Sequence, residues 1–95
     1  MANKIEGKIE SVDSQGNLVT SISGDQLTVA PTDDTVSVFC EGHETQGIFG
    51  ADHDQPAMTL IALVGESGNL ELSIVEDSAK IMLGVSVGAD VLVKW

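Results

Sequence analysis

The residues best suited to chemistry in this chain gather around two histidines. Asp52-His53-Asp54 sets an imidazole between two carboxylates, and His43-Glu44 places a second such pair earlier in the chain. Imidazole nitrogen and carboxylate oxygen together can hold a divalent ion. Neighbouring side chains of an extended loop diverge, however, and these spacings match no recognised ligand pattern. Metal binding by His43, Asp52, His53 and Asp54 therefore ranks behind a solvated loop. Asp33-Asp34 reads as a turn rather than a carboxylate pair. Cys40, the only cysteine, lies in the strand-like run Val36-Ser37-Val38-Phe39-Cys40 and reads as buried filler. With no second thiol there is no intramolecular disulfide, and a reducing cytosol is the natural setting. A nucleophile elbow, a phosphate-cradling glycine loop and a Ser/His/Asp arrangement are all missing. The residues taken by themselves specify no enzyme, no metal and no cofactor.

Charge narrows the partners. Fifteen acidic residues face four lysines (Lys4, Lys8, Lys80 and Lys94) and no arginine, for a net charge of −11. Such a field repels phosphate backbones, and no basic and aromatic stripe offers bases a stacking surface, so nucleic acid is excluded as a partner. The same field disfavours anionic membranes, and without arginine there is no bidentate grip on carboxylate or phosphate. No apolar stretch follows Met1, and the longest apolar run, Leu60–Val64, is too short to span a bilayer. The expectation is a soluble, cytoplasmic protein. It is also a monomer, because like charges would converge in a homo-oligomer.

Strands are what would hold these residues in place. At 95 residues the chain fits one domain, and its 42% apolar content is almost wholly aliphatic, since Phe39, Phe49 and Trp95 are its only aromatics. Period-two alternation predicts strands over Lys4–Val12, Leu18–Ser23, Gln26–Ala30, Thr35–Cys40, Glu44–Phe49, Met58–Val64, Asn69–Val75 and Val91–Trp95. Ser14-Gln15-Gly16-Asn17 and Ser23-Gly24-Asp25 are tight turns between successive strands. Gly50–Gln55, followed by Pro56, is the one longer loop. A single short helix over Ser78–Leu83 has Asp77 or Ser78 as its cap and Gly84 past its end in the left-handed conformation. Val85–Asp90 then leads tightly into the last strand. Short strands at this spacing with one late helix predict an all-β fold, a small antiparallel β-barrel with one short helix near the C-terminus.

Two segments carry more specific information. Asp13-Ser14-Gln15-Gly16-Asn17-Leu18-Val19-Thr20-Ser21-Ile22 is the first. Ala62 through Ile74 is the second, continuing through Ser78-Ala79 to Leu83-Gly84-Val85-Ser86-Val87-Gly88. Together they resemble the C-terminal domain of the S-adenosylmethionine hydroxide adenosyltransferase family, which includes fluorinases and chlorinases. That family carries D-x-F-G-N-L-x-T-N-I, then G-I-x-x-T-Y, then N-S-x-G-x-L-E-I-A-V and a closing L-G-L-x-V-G-D-x-V. Gly47-Ile48 matches the middle motif, so the resemblance runs in order along nearly the whole chain.

The resemblance implies a β-barrel that supplies the adenine side of a pocket, with the reacting groups on a larger N-terminal domain that this sequence does not contain. Asn17 falls on the family asparagine that hydrogen-bonds adenine. Glu66 falls on the serine that holds the methionine end of the ligand, and Ser67 on the next position, arginine in halogenase-like members. The pocket aromatic is replaced by Asp52, the motif phenylalanine by Gln15, the second motif asparagine by Ser21, and a later Asn-Gln pair by Val75-Glu76. Asn17, Glu66 and Ser67 are thus the candidate ligand residues, and no residue is a catalytic candidate. The leading expectation is a non-catalytic, stand-alone barrel acting as an interaction or accessory module for a protein partner. The alternative is an adenosyl-ligand-binding subunit that completes an S-adenosylmethionine site with a separately encoded catalytic domain.

Overall fold

A computed structural model describes residues 3–33, 35–50, 53–65 and 67–95. Eight strands follow in chain order: β1 (Lys4–Val12), β2 (Leu18–Ser23), β3 (Ser37–Cys40), β4 (His43–Gln46), β5 (Ile48–Phe49), β6 (Leu60–Val64), β7 (Asn69–Ile74) and β8 (Asp90–Lys94). They form one sheet in the order β4-β3-β8-β1-β2-β7-β6-β5, antiparallel throughout except where β5 runs parallel to β6. The fold is the expected all-β, nearly closed barrel. The only α-helix among the described residues, α1, is the short Ala79–Leu83 segment near the C-terminus.

β1 joins the two halves of the sheet. Its first part pairs with β8, from Lys4↔Lys94 to Lys8↔Asp90, and its second with β2, from Ile9↔Thr20 to Val12↔Leu18. Ile5, Gly7 and Ile9 alternate inward, and a bulge between Ile9 and Ser11 resets the phase so that Val12 also faces the core. Gly7 is required on this inward face. A Cβ there would lie 2.6 Å from Ile22 Cγ1, so the β2 isoleucine occupies the space a side chain would need. The interior is aliphatic, with Leu18, Ile22, Val36, Val38, Leu70, Leu72, Val91 and Val93 all buried.

The seam is made by one continuous piece of chain. β4 lies at one end of the sheet and β5 at the other, and only Gly47, at φ +85°, separates them. The Gly47 N–H donates to Val36 O and the Ile48 N–H to Thr32 O, while Thr45 Oγ1 donates to Leu60 O at 2.9 Å across the gap between β4 and β6. The single strand expected over Glu44–Phe49 is therefore two short strands, split where the left-handed glycine redirects the backbone.

Gln26–Ala30 is a correction to the sequence reading, since Gln26–Val29 forms a 3₁₀ helix. Ser23 Oγ accepts from the Gln26 N–H, and Gln26 Oε1 accepts from the Ser23 N–H. This reciprocal Ser-x-x-Gln pair starts a helical turn. Only Leu27 in it is buried, and Val29 is left in solvent. Ser23-Gly24-Asp25 therefore leads into a helical turn and does not join two strands. The late helix matches expectation. Ser78 caps α1 by accepting from the Ile81 N–H, and Gly84 closes it at φ +66°. The Lys80 N–H donates to Gly16 O at 2.9 Å, which fastens α1 to the turn between β1 and β2. No helix among the described residues is long and apolar enough to cross a membrane.

Candidate functional site

The outer face of the β2-β7-β6 half carries a cleft of about 470 Å³. Its floor follows from the register. Glu71 on β7 stands opposite Val19 on β2 and Leu63 on β6. Opposed residues share a face, and the inward set on β7 is Leu70, Leu72 and Ile74, so this trio points outward. All three are nonetheless buried, and none belongs to the barrel core.

Asn17 forms one wall from the β1–β2 turn. Gly16, at φ +83°, lets that turn close with the Gly16 N–H on Asp13 O and the Asp13 N–H on Asn17 O. The Asp13 carboxylate then accepts from the Gln15 N–H, the Asn17 N–H and Asn17 Nδ2, at 2.9, 2.9 and 3.0 Å. Desolvation pushes the Asp13 pKa upward, but these bonds together outweigh it and hold the group below its ordinary value. An ionised carboxylate can only accept, so it turns the Asn17 amide nitrogen toward itself. The Asn17 carbonyl oxygen is left as an acceptor at the cleft.

Ser67 forms the facing wall, from the β6–β7 turn. Its Oγ donates to Glu71 Oε2 at 2.7 Å and accepts from the Asn69 N–H at 3.2 Å. The Gly68 N–H closes the turn on Gly65 O at 3.0 Å. Gly65 covers the acid: a Cβ there would lie 2.6 Å from Glu71 Oε2 and 2.9 Å from Oε1.

Two of the three candidate ligand residues, Asn17 and Ser67, thus meet in one cleft although fifty positions separate them. Glu66 lies outside the described residues, as do Asp52 and Asp34. Gln15 and His53 also line the cleft, His53 with Nδ1 accepting from the Gln55 N–H at 3.2 Å. His43 is engaged elsewhere, its Nε2 3.2 Å from Leu83 O at the end of α1. No group of three or more potential metal ligands forms among the described residues. Cys40 is buried, and desolvation, helped by Glu41 and Asp90, pushes its thiol up to about 11, which fits filler and not a nucleophile. A larger hollow of about 540 Å³ lies over Gly7, Phe39 and Leu92 on the other half of the sheet, beside the exposed Lys8–Asp90 pair. It contains none of the candidate residues.

Glu71 is the residue that sequence reasoning missed. In the alternation of β7 it reads as a solvent-facing acid. The signal lay one strand away, in the unbroken apolar run Leu60–Val64, because a strand that is apolar on both faces is covered on both.

The model of the SAM hydroxide adenosyltransferase C-terminal domain family matches residues 7–92. Among solved structures, an uncharacterized conserved protein from Thermotoga maritima is 26% identical with a TM-score of 0.77, the match covering 95% of this chain and 35% of that one. A conserved hypothetical protein from Thermus thermophilus is 22% identical with a TM-score of 0.67, the match covering 90% of this chain and 31% of that one, and supports the fold alone. The chain thus spans about a third of the length of both structural relatives. No curated protein matches it significantly.

Proposed function

The chain belongs to the SAM hydroxide adenosyltransferase C-terminal domain family, and on that basis we propose that it supplies the adenosine-binding wall of an adenosyl site whose reacting groups come from another domain. The meeting of Asn17 and Ser67 in one cleft carries this reading. The Asn17 carbonyl, oriented by Asp13, suits the exocyclic amine of adenine, and Val19 and Leu63 provide an apolar surface for a ring. The greater length of the structural relatives supports a site shared with a further domain. Alone, this wall leaves one side of the ligand in water and places no nucleophile among its described residues, so on this reading it binds weakly and turns nothing over.

A second reading, an interaction module, has separate support. Ile81 and Met82 on α1 are 79% and 51% exposed, and α1 is fastened to Gly16 at the edge of the cleft. Apolar side chains placed there suit contact with a second domain over the ligand.

Titration of the ¹⁵N-labelled chain with adenosine and S-adenosylmethionine tests the proposal. Amide shifts should concentrate at residues 13–19 and 63–73, with dissociation constants in the millimolar range, and Asn17→Ala should remove them. Shifts elsewhere, or an unaffected Asn17→Ala variant, would place the ligand in another part of the barrel.

A further inference from the structure

The outer face of β1, β8, β3 and β4, on the other half of the sheet from the cleft, carries a charge pattern that the fold itself does not need. Val91 and Val93 on β8 and Val38 and Cys40 on β3 are buried inward, so the residues between them point out. Register sets these outward residues in rows. Lys4 stands opposite Lys94, which stands opposite Ser37. Glu6, Leu92, Phe39 and Glu44 form the next row. Lys8 and Asp90 form the third, with Glu41 beside them in the turn after Cys40. Three of the chain's four lysines therefore share this face. Against four acids they leave it one net negative charge, and ten of the chain's eleven lie elsewhere.

The two ends of the face differ in sign. Lys4 and Lys94 are like charges in directly opposed positions, an arrangement that destabilises a strand pair. Glu6 partners Lys4 at 3.3 Å, but Lys94 has no acid within ion-pair distance among the described residues. At the opposite end Lys8 partners Asp90 at 2.6 Å, and Glu41 has no such cation among the described residues. Between the ends lie the half-buried Phe39 and Leu92, under the hollow of about 540 Å³. A surface that is basic at one end, apolar at its centre and acidic at the other complements itself when turned about a two-fold axis.

We propose that a second copy of the chain docks on this face, the two sheets packed face to face with the basic row of each copy over the acidic end of the other and the Phe39–Leu92 pairs in contact. The remaining surface of each copy carries nearly all of its net charge, so approach from any other side is opposed. Four strands about 4.8 Å apart and three rows about 6.6 Å apart cover roughly 400 Å² per copy. That is about half of the roughly 800 Å² per partner in a stable interface. The dimer is therefore transient, with a dissociation constant of about 1 mM, and the chain is monomeric at low micromolar concentration. The cleft, on the other half of the sheet, stays open in both copies.

Amide spectra of the ¹⁵N-labelled chain between about 0.05 and 3 mM test this, at about 0.15 M salt, where the Debye length is about 8 Å. Shifts should grow with concentration at residues 4–8, 37–44 and 90–94 while translational diffusion slows. No concentration dependence, or shifts confined to the cleft or to α1, would overturn the proposal. Two double variants then test the complementarity: Lys4→Glu with Lys94→Glu reverses the basic row, and Glu41→Lys with Asp90→Lys reverses the acidic end. Each by itself should lose the association, and an equimolar mixture should recover it to within about threefold, because opposite charges meet again. The second variant carries less net charge than the unmodified chain, so its loss of association cannot come from long-range repulsion. A reversed variant that associates alone as the unmodified chain does, or a mixture that stays monomeric, would refute the inference. Should either variant not fold, Leu92→Ser decides. It trims the apolar centre and should raise the dissociation constant at least about threefold, and an unchanged constant would refute the docking face.

Discussion

Gly65→Ala tests whether Glu71 is held as described, because the perturbation acts on one side chain. A Cβ at residue 65 would stand 2.6 Å from Oε2, 2.9 Å from Cδ and 2.9 Å from Oε1, and no other atom lies among its three nearest. The carboxyl must therefore move, and in moving it loses the 2.7 Å bond from Ser67 Oγ. A hydrogen bond to a charged group contributes about 1.5–3 kcal/mol. Against this, alanine restricts the unfolded chain and returns about 0.4–1 kcal/mol where the backbone tolerates it. The net expectation for Gly65→Ala is a loss of about 1–2 kcal/mol. A domain of this size should then melt lower by about 4–8 °C for each kcal/mol. In a Glu71→Ala background there is no carboxyl to displace, so the same Gly65→Ala change should be neutral or stabilising. Urea denaturation of the four proteins of this cycle measures the difference, and a coupling of about 1.5–3 kcal/mol is expected. Additivity within about 0.5 kcal/mol would rule the contact out, because it would mean that Gly65 and Glu71 act independently.

Gly16→Ala combines a left-handed φ with a Cβ only 2.7 Å from Ser78 Cβ, so it should cost about 2–3 kcal/mol in urea melts through strain and the loosened cap of α1. Thr20 is fully buried, with Oγ1 donating to Leu70 O and accepting from the Ile22 N–H. Thr20→Val strands both backbone groups and should cost about 1–3 kcal/mol; a neutral variant would show that the pair is satisfied otherwise. Asp13 has a depressed folded pKa, so its contribution to stability is complete above the unfolded value and is lost as pH falls through the folded one. Acid titration should show a stability loss below about pH 4 that Asp13→Asn flattens. Cys40, with its thiol pushed up to about 11, should resist a disulfide reagent at pH 8 and react only at the rate of unfolding; prompt labelling would contradict its burial. Light scattering at low micromolar concentration and low salt should report a monomer, and a stable trimer would show that the net charge does not keep copies apart.

Features that depend on neighbours in the chain were legible before any folding was considered. Alternation placed β1, β2 and β7 within a residue of their observed ends, because the pleat repeats every two residues whatever the sheet order. Ser78 and Gly84 marked the ends of α1 because caps are local backbone chemistry. The motif around Asp13–Asn17 pointed to the turn that forms one wall of the cleft. Local signals compete at Gln26–Val29, which alternates like a strand, while the reciprocal Ser23–Gln26 bonds bend the chain into a helical turn. It took the folded barrel to set β5 against β6, close the seam through Gly47 and Thr45, and bring Ser67 to Asn17. Those contacts join residues far apart in the chain, and no local pattern encodes which sheet edge a strand will meet. The same holds for Glu71. Its outward direction followed from the alternation, but its burial depends on the turn that folds Gly65 and Ser67 over it, and a side chain's surroundings are decided by what packs there.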